Sequence, residues 1–328
     1  MKAVLCRSYG PPESLVVEDV PPPTPRRGEA IISVKSAGVN FPDVLIIQNR
    51  YQVKPPLPFS PGSEAAGVVK AIGEDVNHVK IGDRVMAITG YGAFAEEIAV
   101  DAARLLPIPE GMDFATAAAF GLTYATSDHA LRDRGGLNAG ETLLVLGAAG
   151  GVGIAAIEIG KALGARVIAC ASSPDKLDVC RAHGADETID YATEDLRERI
   201  RALTAGRGPD VVYDPVGGPY TEPALRSIAW RGRLLVVGFA AGEIPRIPLN
   251  LTLLKGCSIV GVYWGEFSRR EPERFAESMR RLARWFADGK LRPHISSIFP
   301  LDRAADALTL MAERKVTGKV VLTVDSRE

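Results

Sequence analysis

Cysteine is scarce and scattered in this chain: Cys6, Cys170, Cys180 and Cys257 are the only four in 328 residues, and no two form a Cys-x-x-Cys pair. A disulfide framework or a thiolate zinc site is therefore not expected, and a reducing compartment fits. A charge imbalance is missing too. With 39 basic and 40 acidic residues the formal net charge is −1, which gives no electrostatic case for nucleic acid or an anionic membrane. No apolar run reaches transmembrane length, and Met1-Lys-Ala-Val-Leu-Cys6 begins like a strand without the long apolar core of a secretion signal. The expectation is a soluble, cytoplasmic chain with neither a nucleic-acid nor a membrane partner. The four histidines, His78, His129, His183 and His294, stand at no ligand-like spacing, so no metal is expected on them.

Glycine is concentrated where it carries chemistry. The apolar run Leu143 to Leu146 reads as a strand buried on both faces, and it leads into Gly147-Ala-Ala-Gly-Gly-Val-Gly153 and then an amphipathic helix. Gly147, Gly150 and Gly153 allow a sharp turn, close approach to a pyrophosphate and tight helix packing, and the phosphate charge would sit on the unpaired amides at the helix N-terminus. The spacing is a variant of the usual fingerprint. Its position between strand and helix makes it informative.

The length suits about two domains. Residues 1–120 are short alternating segments rich in glycine and proline, such as Ala30 to Ala37 and Gly67 to Ile72, and read as a mostly β domain. From 121 to 263 strands alternate with helices. Leu143–Leu146, Arg166–Cys170, Thr188–Ile189, Asp210–Tyr213, Arg233–Val237 and Ser258–Val262 are the six expected strands of a doubly wound parallel sheet. A long amphipathic helix follows over Glu271–Asp288. The final strand, Lys319–Val324, is expected to fold back with residues 264–328 and complete the first domain.

The dinucleotide type is read at the end of the second strand of the sheet, where a carboxylate usually holds the ribose 2′-OH of NAD. Here Cys170-Ala-Ser-Ser-Pro-Asp-Lys176 has small residues in that place. A 2′-phosphate would meet no repulsion, and Ser172 and Lys176 would donate to it, which favours NADPH over NADH. The same residues also read as a helix start, with Ser173 as cap, Pro174 in the first turn and Lys176 in solvent.

Several ordered motifs now carry a resemblance. Ala37-Gly-Val-Asn-Phe-Pro-Asp43, Leu57-Pro-Phe-Ser-Pro-Gly-Ser-Glu-Ala-Ala-Gly67, Gly121-Leu-Thr-Tyr124, the glycine turn, Asp214-Pro-Val-Gly-Gly218 and Val237-Gly-Phe239 make the chain similar to the medium-chain dehydrogenase/reductase superfamily. Within it the chain resembles the zinc-free quinone oxidoreductases of the zeta-crystallin type. This implies an α/β fold with a doubly wound Rossmann domain and a mostly β, GroES-like catalytic domain built from both chain ends. Zinc-dependent members carry cysteine where Asn40 stands and histidine where Ser63 stands, neither of which is a credible zinc ligand here.

The resemblance also implies roles residue by residue. Asn40 matches an asparagine beside nicotinamide and substrate, and Tyr51 a pocket tyrosine that donates a proton or hydrogen bond; a loop asparagine and a packing tyrosine are the alternatives. Thr123 matches a neighbour of the nicotinamide carboxamide, while Gly150, Gly151 and Val152 match the phosphate turn. Ser172, Lys176 and Tyr191 match the 2′-phosphate and adenosine region, Gly238 and Phe239 a backbone contact to nicotinamide, and Lys319 a basic residue that reaches the cofactor. Leu45 replaces a second tyrosine, and Glu158 a glutamine, an exchange expected to matter little.

Without a Lewis acid the acceptor should be electrophilic already, as a quinone or enone is. The leading expectation is an NADPH-dependent, zinc-independent reductase of quinones or other α,β-unsaturated carbonyls. An enoyl-thioester reductase and a non-catalytic NADPH-binding protein are the alternatives. The apolar strand Ser258–Val262, at the sheet edge, is expected to pair across a two-fold axis in a homodimer.

Overall fold

The computed structural model describes residues 1–324. The chain forms two units, one from Met1–Leu122 together with the segment from His294 onward, the other from Thr123–Pro293. In the first unit β1 (Lys2–Leu5) and β2 (Val16–Asp19) form a small antiparallel ladder. They are followed by β3 (Glu29–Val39), β4 (Glu64–Ile72), β5 (Arg84–Ile88), β6 (Glu97–Asp101) and β7 (Leu105–Pro107).

The second unit contributes β8 (Thr142–Val145), β9 (Arg166–Ala171), β10 (Glu187–Asp190), β11 (Val211–Asp214), β12 (Arg233–Val236) and β13 (Ser258–Gly261). The chain then returns to the first unit with β14 (Ile295–Pro300) and β15 (Lys319–Thr323).

The first unit's main sheet runs β14-β15-β3-β4-β5-β7, with β6 paired to β3. The tail enters it through β15, antiparallel to β3 with Val320 opposite Val39. Val320, Val321 and Leu322 are fully buried, so the β-branched tail is held by the core as well as by the ladder. This register sets Lys319 beside the end of β3, and β4 begins on the other side of β3 with Glu64 opposite Gly38.

The second sheet is parallel throughout, in the order β10-β9-β8-β11-β12-β13. Leu143, Leu144, Val145, Val167, Ile168 and Val211 are completely buried, which is why these strands read as unbroken apolar runs. The order reverses between β8 and β11, and such switch points place a ligand crevice at the carboxyl ends of the strands. Among the described residues no helix is long and apolar enough to cross a membrane.

The expected domain limits need one correction. Residues 264–293 belong to the second unit rather than the first. The helix Pro272–Ala287 is fastened there by Ser278 Oγ and Arg281, which both donate to buried Asp128, and Phe267 stacks on His129 at 3.9 Å. The amphipathic pattern marked a buried face but not the partner that buries it.

Candidate active site

The glycine turn sits at the switch point. Gly147, at φ +58°, leaves β8 in the left-handed region, and a Cβ there would meet Val216 at 2.6 Å. The following helix, Gly151–Ala162, begins without a side-chain cap because Gly150 occupies the capping position. A Cβ on Gly153 would strike the carbonyl oxygens of Gly147 and Ala148 at 2.5 and 2.6 Å, so the turn and helix approach as only glycine allows. The first amides at Gly151, Val152 and Gly153 and the positive end of the helix dipole make this a cradle for a pyrophosphate. Ser127, in the helix Phe114–Asp128, braces it by donating to the Val152 carbonyl at 2.9 Å, one turn along from buried Thr123.

Neighbouring strand ends carry the rest of the nucleotide side. Beyond β9, Lys176 Nζ lies 3.4 Å from Ser172 Oγ on an exposed surface, and no carboxylate ends the strand. Tyr191, after β10, donates its backbone amide to Ala171 and stacks on Tyr220 with ring centroids 4.3 Å apart. Asp214 closes β11 by accepting from the amides of Val216 and Gly217 and from the Thr221 hydroxyl, which shapes the second wall of the crevice. Past β12, Gly238 donates to the Asp214 carbonyl, and Phe239 is partly exposed. The structure thus brings Gly147, Gly150, Gly151, Val152, Gly153, Ser172, Lys176, Tyr191, Gly238 and Phe239 to the carboxyl ends of the strands of one sheet.

Asn40 and Lys319 lie in the first unit, in a buried polar cluster built where β15, β3 and β4 meet. Lys319 Nζ donates to Glu64 Oε1 at 2.6 Å, to Asn40 Oδ1 at 2.6 Å and to the Val39 carbonyl at 3.2 Å. Asn40 Nδ2 lies 3.0 Å from Glu64 Oε1, 3.2 Å from Ser63 Oγ and 3.4 Å from the Gly38 carbonyl. The other oxygen of Glu64 accepts the Leu122 amide at 3.0 Å. Gly38 is obligatory here, since a Cβ would lie 2.6 Å from Glu64 Oε1. Asp43 accepts the backbone N–H of Asn40 at 2.7 Å, and the Ser63 hydroxyl also donates to it. Burial pushes the Asp43 carboxyl up to about 7 in spite of those bonds and the Lys319 charge.

Zinc does not fit this cluster. An amide and a hydroxyl stand at the positions of the sulfur and imidazole ligands, and Glu64 Oε1 is already held by an ammonium that would repel a cation. Among the described residues no group of three or more His, Cys, Asp and Glu side chains is arranged to hold a metal. Tyr51 is partly buried against the first unit's hydrophobic core.

Two features escaped sequence reasoning. Ser63, Glu64 and Asp43 stand in quoted motifs, yet nothing local showed that they join Lys319. Glu158 is the other. It accepts from Tyr124 OH and His183 Nδ1, each at 2.7 Å, and from the Arg292 amide at 2.9 Å, so it ties the glycine-turn helix to three other segments. Burial and this carboxylate push the Tyr124 hydroxyl well up.

A mostly β unit completed by the chain's tail and a parallel sheet with an open phosphate cradle define a two-domain dinucleotide-binding oxidoreductase. Residues 26–110 match the alcohol dehydrogenase GroES-like domain, and residues 151–284 match the zinc-binding dehydrogenase family. A quinone oxidoreductase-like protein 2 homolog from Nematostella vectensis is 40% identical over 98% of this chain and 88% of its own length. The quinone oxidoreductase of Pseudomonas aeruginosa is 38% identical, covering 98% and 99%. Escherichia coli quinone oxidoreductase, solved in complex with NADPH, superposes with a TM-score of 0.93 at 30% identity, covering 98% of this chain and 100% of that one. The chain belongs to the quinone oxidoreductase group of the medium-chain dehydrogenase/reductase superfamily.

Proposed function

We propose that this oxidoreductase uses NADPH to reduce quinones or other α,β-unsaturated carbonyl compounds without zinc. The observation that carries the reading is the Asn40–Ser63–Glu64–Lys319 cluster, which offers hydrogen bonds and a fixed ammonium where the zinc-dependent relatives have metal ligands. An acceptor that needs no Lewis acid is one whose conjugation already spreads the incoming charge.

The pyrophosphate would rest on the Gly147–Gly153 turn, the 2′-phosphate on Ser172 and Lys176, and the adenosine beside Tyr191. NADPH, when bound, supplies a hydride from nicotinamide C4. Thr123, Gly238 and Phe239 would orient the nicotinamide, while Asn40 Nδ2 would meet negative charge developing on the acceptor oxygen. Tyr51 is the remaining candidate for a hydrogen-bond or proton donor. The complex of the Escherichia coli relative with NADPH supports this choice of cofactor.

The test is oxidation of NADPH and NADH, side by side, with a panel of quinones and enones. Acceptor-dependent oxidation, faster with NADPH, is expected; no acceleration by any acceptor would overturn the reading. One alternative is an enoyl-thioester reductase. Faster turnover of CoA thioesters than of free quinones would select it. We propose in addition that the chain is a homodimer paired through β13.

A further inference from the structure

The three protons of the Lys319 ammonium all go to protein acceptors, namely Val39 O, Asn40 Oδ1 and Glu64 Oε1. Its side chain is only 4% exposed and that of Glu64 2%. A buried lysine whose protons are spent in this way acts on a reaction through the groups it holds, not by touching a ligand.

Of those groups, the Asn40 amide is the one whose chemistry changes. With Oδ1 on the ammonium, Nδ2 must face Ser63, Glu64 and Gly38. Two N–H protons then face three acceptors: Glu64 Oε1 at 3.0 Å and Ser63 Oγ at 3.2 Å lie within the usual range for N–H···O bonds, and the Gly38 carbonyl at 3.4 Å lies beyond it. The Ser63 contact is the longer of the two within range, and its neutral hydroxyl is the acceptor most readily exchanged for a stronger one. A cation on the amide oxygen also draws electron density from nitrogen and strengthens the N–H donors.

We propose that Lys319 is a positioning residue for the reduction: its ammonium fixes and polarises the Asn40 amide so that Nδ2 meets the oxyanion of the reduced acceptor. The inference rests on the reductase reading above. In electrostatic terms the ammonium stands in for the metal charge of the zinc-dependent relatives, at one remove and through the amide. Glu64 holds the ammonium in place and keeps the pair neutral in a medium where a lone charge is costly.

The simple variant Lys319→Met leaves Glu64 unpaired and threatens the fold, so the test uses Lys319→Met together with Glu64→Gln, assayed with bound NADPH and a quinone. A purely structural lysine would be replaced by this neutral pair without loss. The expected result is a thermal midpoint and an NADPH Kd close to those of the unaltered protein, an acceptor KM changed little, and kcat reduced about tenfold or more. In an Asn40→Ala background the same pair of changes should add nothing to the loss in kcat, because the effect runs through that amide. Full kcat in the doubly altered protein, or losses that simply multiply with Asn40→Ala, would overturn the inference. If the unaltered protein itself reduces no quinone or enone with NADPH, it is the reductase reading that fails, and this inference with it.

Discussion

Lys319 Nζ lies 2.6 Å from Glu64 Oε1 although the two residues are separated by 255 positions in the chain. The pair exists because β15 and β4 flank β3 in the first unit's sheet. Around it the buried cluster holds one ammonium and two carboxylates, and Asp43 is the carboxylate without a direct bond to the ammonium.

Burial of the Asp43 carboxyl gives stability a pH dependence. The Asp43 carboxyl is raised from 3.8 to about 7 in the folded chain, so between these values the native state binds more protons than the unfolded state. Its contribution is complete below the lower value and is lost as pH rises through the upper one. Asp43→Asn retains an acceptor for the backbone N–H of Asn40 and removes the titration. The unfolding free energy of the unaltered protein, from denaturant curves, should fall relative to this variant by on the order of a few kcal/mol from pH ~4 to pH ~7. Parallel pH profiles would contradict this.

The glycine turn separates packing from binding. Gly150 has a φ of −80°, and a Cβ there would have its nearest neighbour, the Gly147 carbonyl oxygen, at 3.4 Å, whereas one on Gly153 would meet carbonyl oxygens at 2.5 and 2.6 Å. Gly150→Ala should therefore keep the melting midpoint nearly unchanged while weakening NADPH binding about tenfold or more, as a methyl group enters the phosphate cradle. Gly153→Ala should lose both stability and binding. Thermal melts with and without NADPH distinguish the two outcomes.

Local chemistry explains what could be read before the structure. The phosphate turn is a continuous stretch whose glycines act on their own neighbours, and buried parallel strands leave apolar runs that any reader can count. The Asn40 cluster has neither property, since its members come from the ends of three strands and meet only through sheet register. Glu158 looked like a neutral exchange because its three donors, Tyr124, His183 and Arg292, are distant in sequence. That residues 264–293 fall in the second unit is not legible in the sequence, because amphipathicity does not name the surface a helix covers.

Cofactor choice should reside at the end of β9. Lys176→Ala is expected to weaken NADPH binding about 10- to 100-fold, the worth of one charge-assisted hydrogen bond, and to leave NADH binding nearly unchanged. Ser172→Asp should shift preference toward NADH by placing a carboxylate where a 2′-phosphate would lie. Titration of both cofactors by fluorescence measures the ratio, and an unchanged ratio would contradict the assignment.

The edge of the second sheet should be an interface. β13 pairs on one side only, with β12, and Trp230, Leu249, Leu253 and Leu254 are all more than 60% exposed. Light scattering should give twice the chain mass for the unaltered protein and a single chain for Leu253→Glu combined with Leu254→Glu. A monomeric unaltered protein would refute the pairing.

Dependence on metal reaches the centre of the account. Protein dialysed exhaustively against a strong chelator, then assayed with NADPH and a quinone, should retain its full rate, and added zinc should not raise it. Loss of turnover on chelation, restored by zinc, would contradict the assignment of acceptor activation to Asn40 and Lys319.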